Sequence, residues 1–280
     1  MLVAVVFDSA GTLLRTYRVA RDVLRGEMLT GVETTTLTFG AEARVLVVLH
    51  LHSRGVMDAP GDQLLSEFLS ERSIGFGVAC SRRVIPAEEV AHVLYSDKNA
   101  RVSDLQACIR KVWSCCKRES IITMNSGVIL NMDIPGIEFT VTTGGRPFDG
   151  AKETISELHR MGVPAYIASG DRVTKLERMG DYLGIPRERV YGVATPSMKA
   201  RIVEDLKEQY DKVVMVGDAI NDLHAFRKAD LAVLTEQQSD RKPEVLYDCV
   251  DRVIRNVSEV PGIVAELLAD TTAPGENATI

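Results

Sequence analysis

Short apolar runs alternate with amphipathic stretches along the second half of the chain, from about Thr143 onward. Mostly apolar runs of four to six residues lie at 163–168, 190–193, 213–216 and 231–234. Stretches with a helical spacing of apolar positions lie before and between them, at 149–161, 172–183, 197–210 and 220–228. Short apolar strands separated by helices are typical of a parallel sheet covered on both faces. The pattern therefore predicts an α/β fold with a doubly wound parallel sheet.

The chain opens with the same kind of strand, because residues 3–7 are all apolar and Asp8 follows at once. The stretch from about Tyr17 to Pro135 has a different pattern, which predicts an α+β lobe inserted after the first strand. A hairpin is predicted from strands at 34–39 and 43–51. Three helices are predicted at 62–72, 86–95 and 103–117.

The predicted domain boundaries follow from this insertion. The core domain takes residues 1–16 and 136–270, and the inserted cap domain takes residues 17–135. The pair Pro135-Gly136 marks the point where the chain is expected to re-enter the core. Residues 271–280 are polar and contain Pro and Gly, so we expect a flexible tail there.

Composition and charge narrow the class of protein. The 280 residues are 45% hydrophobic and 26% charged, as in an ordinary globular protein. The net charge is −6 and no Lys/Arg block is present, so no nucleic-acid partner is expected. The longest apolar run, 45–51, is strand-sized, so neither a signal peptide nor a membrane partner is expected. Five cysteines without a CxxC pair favour a cytoplasmic location, and the oligomeric state stays open.

Polar residues stand at or just after the ends of the predicted strands. Asp8, Ser169 and Asp218 each follow an apolar run, and Asp222 comes four residues after Asp218. Sites in parallel sheets form at the carboxyl ends of the strands, so these side chains are expected to meet. Carboxylates are ligands that Mg²⁺ prefers. The pattern predicts a phosphate- and Mg²⁺-handling site, with Asp8 as candidate nucleophile.

Three segments carry a specific family resemblance. They are VAVVFDSAGTLL at 3–14, IASGDR at 167–172 and MVGDAINDLHAF at 215–226. With Lys199 between the last two, they resemble the motifs of the haloacid dehalogenase (HAD) superfamily of phosphohydrolases. Within it, they are most similar to the phosphorylation domain of P-type ATPases. The resemblance covers a little over a third of the chain and implies a HAD-like core with an inserted cap.

The resemblance implies a nucleophile and a metal site. Asp8 would attack phosphorus and form an aspartyl-phosphate, a mixed anhydride that water can later cleave. Asp218 and Asp222 would hold Mg²⁺ together with the Asp8 carboxylate and the Ala10 carbonyl oxygen. Asp218 is the better candidate for direct contact, and Asp222 is expected to act through water.

Other residues are implied to bind the phosphoryl group. Lys199 would contact both that group and Asp8, offsetting the repulsion between two anions. Ser169 would donate its hydroxyl to a phosphoryl oxygen, helped by the backbone N–H of Gly170. Thr12 and Asn221 are lesser candidates for positioning it.

Ala10 departs from the family pattern, because most of these phosphatases carry Asp two residues after the nucleophile. That Asp protonates the leaving oxygen and then activates water. Losing a general acid/base forfeits about 10²–10⁴-fold in rate, or roughly 3–5.5 kcal/mol of barrier. Three explanations stay open: a substrate with a good leaving group, an acid or base from the inserted lobe, or a long-lived aspartyl-phosphate.

The predicted function is Mg²⁺-dependent phosphohydrolase or phosphotransferase activity on a small phosphorylated metabolite. Two alternatives stand beside it. Phosphonoacetaldehyde hydrolase also has Ala at this position and forms a Schiff base with a lysine of its inserted lobe. Lys98, Lys111 and Lys117 are the candidate equivalents, and their spacing selects none of them. The second alternative is a non-catalytic phosphate-binding or regulatory protein of the same fold.

Overall fold

A computed structural model of the protein describes residues 1–116, 121, 123–171, 173–238 and 242–270. The chain divides into two compact units. The first unit consists of Met1–Arg15 and Pro147–Ile280, and the second unit of Thr16–Arg146. Within the described residues, none of the helices has the length and apolar content that a membrane crossing requires.

The described secondary structure follows in chain order. The strands are β1 (Val3–Phe7), β2 (Leu14–Asp22), β3 (Met28–Thr30), β4 (Arg44–Leu49), β5 (Phe76–Ser81), β6 (Thr123–Asn131), β7 (Gly136–Pro147), β8 (Ala165–Ala168), β9 (Val190–Tyr191), β10 (Lys212–Gly217), β11 (Leu231–Thr235) and β12 (Arg252–Ile254). The helices are α1 (Thr34–Phe39), α2 (Ser53–Met57), α3 (Leu65–Glu71), α4 (Ala87–Ser96), α5 (Val102–Cys116), α6 (Ala151–Arg160), α7 (Val173–Leu183), α8 (Pro196–Lys207), α9 (Leu223–Phe226), α10 (Glu244–Tyr247) and α11 (Val260–Asp270).

The first unit is built on a parallel sheet with the strand order β12-β11-β10-β1-β8-β9. The central strand β1 is buried over its whole length, which its five apolar side chains allow. Ala4 and Val6 pack with Ile202 and Val203 of α8 in one core cluster. The predicted α/β fold is confirmed, and the strand ends predicted after Thr143 are correct within two residues.

The second unit contains a separate sheet with the order β3-β2-β7-β6-β4-β5. The pairs β2–β3, β4–β5, β4–β6 and β6–β7 are antiparallel. On one face, the alternating residues Val45, Val47 and Leu49 of β4 are buried in a cluster with α3, α4 and α5. This half-buried alternation is typical of an antiparallel sheet with helices on one side.

Two predictions for this region differ from the structure. The predicted hairpin of 34–39 with 43–51 is wrong, because residues 34–39 form α1 and β4 pairs with β5 and β6. The helix buries Thr38, whose hydroxyl donates to the Thr34 carbonyl oxygen at 2.7 Å, and packs Leu37 against the cluster that contains Phe139. This packing overrides the strand propensity of threonine. The expected re-entry after Pro135 also differs: β7 starts at Gly136 but pairs with β6, and the units divide after Arg146. The predicted tail lies outside the described residues.

Gly127 lets β6 and β4 approach closely, because a Cβ there would lie 2.3 Å from the Val47 carbonyl oxygen. We predict that Gly127→Ala lowers the free energy of unfolding of the second unit by about 1–3 kcal/mol, the usual range for overpacking. The chain has one tryptophan, Trp113 in α5, so its fluorescence during urea unfolding reports on this unit. The matched control is Gly55→Ala in α2, where a Cβ meets nothing closer than 4.0 Å. Equal unfolding midpoints for the two variants would contradict the prediction.

Candidate active site

Three neighbouring strands of the first unit end at the same edge of the sheet. Phe7 of β1 lies opposite Ile167 of β8 and Val216 of β10. Asp8, Ser169 and Asp218 follow these strands and are all buried. The Asp8 N–H donates to the Val216 carbonyl oxygen at 2.9 Å, which continues the sheet pairing into the site. The register therefore brings the predicted polar residues to one place.

Lys199 of α8 reaches this edge with a fully buried side chain. Its Nζ lies 2.5 Å from Asp8 Oδ1 and 2.6 Å from Asp222 Oδ1. Helix α8 begins after Thr195, whose side chain accepts a hydrogen bond from the Met198 N–H, so the start of the helix is fixed. One ammonium is thus held between two buried carboxylates.

The ionisable side chains of this cluster shift one another's pKa values. Burial lowers the pKa of Lys199, but the carboxylates of Asp8 and Asp222 outweigh this effect. The pKa of Lys199 therefore lies above its usual range. Burial, and then the charge of Asp222, raise the pKa of Asp8 to about 8 against the opposing effect of Lys199. Lys199 alone therefore does not offset the effects of burial and of Asp222 on the ionised form of Asp8.

Asp8, Asp218 and Asp222 offer ligand oxygens that all lie within 4.8 Å of one another. Three buried carboxylates at this spacing are a donor set that fits a hard divalent cation, which would supply the missing positive charge. The prediction of a metal-binding cluster at these carboxylates is consistent with this geometry.

Both oxygens of Asp222 already have partners. Oδ1 accepts from Lys199, and Oδ2 accepts from the backbone N–H groups of Asp218 and Ala219 at 3.1 and 3.2 Å. Asp222 closes the 3₁₀ turn Ile220–Asp222, so the helix predicted at 220–228 starts with this turn. Asp222 therefore orients Lys199 and the Asp218 loop.

Two glycines allow the loops to pack against the carboxylates. A Cβ on Gly11, whose φ is +86°, would lie 2.1 Å from Asp218 Oδ2. A Cβ on Gly217 would lie 2.6 Å from Asp222 Oδ2. Gly11 combines a left-handed conformation with this close approach, and no other residue type meets both requirements.

The other predicted site residues occupy the same strand ends. The Ser169 hydroxyl accepts from the Asp171 N–H at 3.3 Å, and the neighbouring Gly170 is exposed. The buried Thr12 hydroxyl has no hydrogen-bond partner within the described chain. Ala10 is half-buried in the loop after β1, and Asn221 is exposed on the 3₁₀ turn.

Sequence reasoning missed two residues from the segment that follows β11. Lys242 Nζ lies 2.8 Å from Asp218 Oδ2. Gln237 donates through Nε2 to the Thr12 carbonyl oxygen and accepts at Oε1 from the Val257 N–H. Leu234 at the end of β11 lies opposite Gly217, so this strand ends at the same edge of the sheet. The rule that sites form at the carboxyl ends of parallel strands could therefore have found this segment, but no spacing singles out Lys242.

The lysines considered for a Schiff base lie elsewhere in the chain. Lys98 and Lys111 are exposed residues of the second unit, and Lys117 lies outside the described residues. No observation on the described residues favours the phosphonoacetaldehyde-hydrolase alternative.

We predict that Lys199→Met lowers the free energy of unfolding by about 3–5 kcal/mol, since it leaves two buried carboxylates without their counter-ion. Thermal unfolding in EDTA, followed by circular dichroism, measures the loss. Lys207→Met is the matched control, because Lys207 lies on the same helix and is 38% exposed. Adding Asp8→Asn to Lys199→Met is expected to restore part of the stability. Equal stability of the Lys199→Met protein and the control would contradict the prediction.

Comparisons with known proteins support the family resemblance. The model of the haloacid dehalogenase-like hydrolase family matches residues 2–230. A soluble P-type ATPase-like phosphatase of Methanocaldococcus jannaschii is 30% identical over 270 residues, which are 96% of this chain and 95% of that protein. A copper-transporting ATPase of Helicobacter felis is 35% identical over 97 residues, which are 35% of this chain and only 13% of that protein.

A solved structure of a zinc-transporting PIB-type ATPase is similar over 97% of this chain and 42% of its own. Its sequence identity is 17% and its TM-score 0.46, too distant to carry an argument of its own. The family model and the relative that aligns over almost the full chain are sufficient to assign the family. The resemblance seen in the strand-end motifs is confirmed, and the chain belongs to the haloacid dehalogenase-like hydrolase family.

Proposed function

We propose that this chain, a HAD-type phosphatase, hydrolyses a small phosphorylated molecule through an aspartyl-phosphate on Asp8 with the help of Mg²⁺. The observation that carries the proposal is the contact at 2.5 Å between Asp8 Oδ1 and the buried ammonium of Lys199. A buried nucleophile beside a fixed positive charge suits attack on an anion.

Asp8 performs the first step with the oxygen that Lys199 does not hold. Oδ2 attacks phosphorus, the bond from phosphorus to the leaving oxygen breaks, and the leaving group departs with that electron pair. In the second step a water oxygen attacks phosphorus, and the bond between phosphorus and Asp8 Oδ2 breaks. Its electron pair restores the carboxylate, and the water proton leaves with the released phosphate or to solvent. Lys199 stabilises the negative charge of Asp8 and of the phosphoryl oxygens throughout.

Mg²⁺ would be held by the carboxylates of Asp8 and Asp218 and by the Ala10 carbonyl oxygen. When bound, it supplies charge neutralisation between the attacking and the attacked anion. Asp222 acts indirectly, because its oxygens are taken by Lys199 and two backbone N–H groups.

The phosphoryl oxygens would be received by groups on the neighbouring loops. The Ser169 hydroxyl and the Gly170 N–H follow β8, and Thr12 follows the nucleophile. The buried Thr12 hydroxyl, which lacks a partner within the described residues, is a donor that a phosphoryl oxygen would satisfy. Asn221 is a candidate for outer positioning.

Ala10 sets the substrate class. Its methyl group cannot protonate a leaving oxygen, so the substrate needs a leaving group that departs as an anion, such as an acyl phosphate or a nucleotide polyphosphate. We assign selection of the substrate to the second unit as a cap domain, since it is inserted directly after the loop that carries Asp8 and Ala10.

A substrate panel tests this proposal. Acetyl phosphate, p-nitrophenyl phosphate, ATP and sugar phosphates are offered with Mg²⁺, and released phosphate is measured. We predict turnover of the compounds with low-pKa leaving groups, and none above background after Asp8→Asn. Asp205→Asn, at an exposed position of α8, is the control and keeps wild-type turnover. Turnover that survives Asp8→Asn would contradict the mechanism.

Ala10→Asp tests the role of the missing acid. We predict that it speeds hydrolysis of an unactivated sugar phosphate by about tenfold or more, part of the factor that a general acid/base supplies. The first step with p-nitrophenyl phosphate, measured as the rate of the initial burst of p-nitrophenol, should change little, because its leaving group needs no proton. Ala10→Asn is the matched control, as its amide has nearly the same shape but cannot transfer the proton. An equal gain with Asn would show that acid catalysis is not the cause.

A further inference from the structure

Lys242 brings a second ammonium to the carboxylate cluster. Its Nζ lies 2.8 Å from Asp218 Oδ2, and the two side chains are only 7% and 11% exposed. Lys199 holds Asp8 and Asp222, so the two lysines divide the carboxylates between them. Asp218 is thus also paired with a buried cation.

The backbone of Lys242 is fixed close to the site. Its N–H donates to the Tyr247 hydroxyl at 3.3 Å, and α10 starts two residues later. The buried Leu246 anchors that helix in the core of the first unit. With the backbone held in this way, release of Asp218 requires the long side chain of Lys242 to rotate and does not require the chain to move.

A divalent cation and Lys242 need the same carboxylate. Asp218 is a member of the group whose oxygens lie within 4.8 Å of one another. Two positive charges at one carboxylate in a buried site repel strongly, because little solvent screens them. A cation that binds Asp218 must therefore weaken or displace the contact with Lys242.

The charge balance of the cluster favours displacement. Among the described residues, three carboxyl groups face two ammonium groups, which leaves one negative charge when all three carboxyl groups are ionised, as cation binding requires. A divalent cation would make the cluster positive while Lys242 remains, and neutral once Lys242 has left. Lys199 bonds to two carboxylates, so Lys242 is the easier of the two to release.

We propose that Lys242 is a built-in counter-ion of Asp218, which competes with the divalent cation and so sets the cation affinity of the site. The inference rests on the proposed function in one respect, namely that the cation binds at Asp218. It adds a positioning residue that keeps the carboxylate paired until the cation arrives.

Mn²⁺ binding to the purified protein without substrate tests the inference. Mn²⁺ takes oxygen ligands as Mg²⁺ does, and its free concentration is measurable by electron paramagnetic resonance. We expect Lys242→Met to lower the Kd by about tenfold or more, since a charge-assisted hydrogen bond no longer has to be broken. Lys242→Arg, which keeps the charge, and Lys207→Met, at an exposed lysine, are expected to bind like the wild type.

Thermal stability gives a second readout that does not depend on activity. In EDTA, Lys242→Met should lower the Tm, because Asp218 loses its partner. Mn²⁺ should then raise the Tm of this variant more than that of the wild type. Lys242→Gln serves the same purpose if the Met variant does not fold.

The outcomes separate this inference from the proposed function. Wild-type binding of Mn²⁺ with an unchanged or higher Kd in Lys242→Met overturns the competition and leaves the metal site intact. Binding by the variant but not by the wild type supports the competition strongly. Absence of binding in both overturns the competition together with the metal site, while turnover that depends on Asp8 would still stand.

Discussion

The site of this protein depends on one buried contact, the ammonium of Lys199 between Asp8 and Asp222. Its partners come from distant parts of the chain, since Asp8 and Lys199 are 191 positions apart. The parallel register of β1 and β10 delivers the carboxylates to one edge of the sheet, and α8 brings the lysine. Without the lysine, two carboxylates would be buried against each other at a cost that a folded domain rarely tolerates.

The close packing of the buried carboxylates explains why two neighbouring loop positions are glycines. Gly11 and Gly217 remove the side chains that would collide with Asp218 and Asp222. The cluster has three carboxyl groups and two lysines, so full ionisation of the carboxyl groups is unfavourable for stability without a cation and favourable for binding one. Such a trade between stability and function is expected at a catalytic site.

Much of this arrangement was predictable from the sequence, for a physical reason. Apolar strands between helices specify a parallel sheet, and the strand-end rule then pointed to Asp8, Ser169 and Asp218. Helix α1 was not predictable in this way, because a run of threonines favours a strand, and the packing of Leu37 against the neighbouring sheet cannot be read from local sequence. Lys242 was missed because its contact with Asp218 depends on how the segment after β11 packs against the site. The spacing of residues along the sequence does not indicate that packing.

The central claim is that Asp8 carries the phosphoryl group during turnover. Rapid acid quenching of the enzyme with acetyl phosphate and Mg²⁺, followed by peptide mass spectrometry, tests it directly. The account predicts a phosphoryl group on the peptide that contains Asp8, formed and lost at rates compatible with turnover. A phosphoryl group on another residue, or turnover without any phosphorylated enzyme and with direct transfer to water, would contradict it.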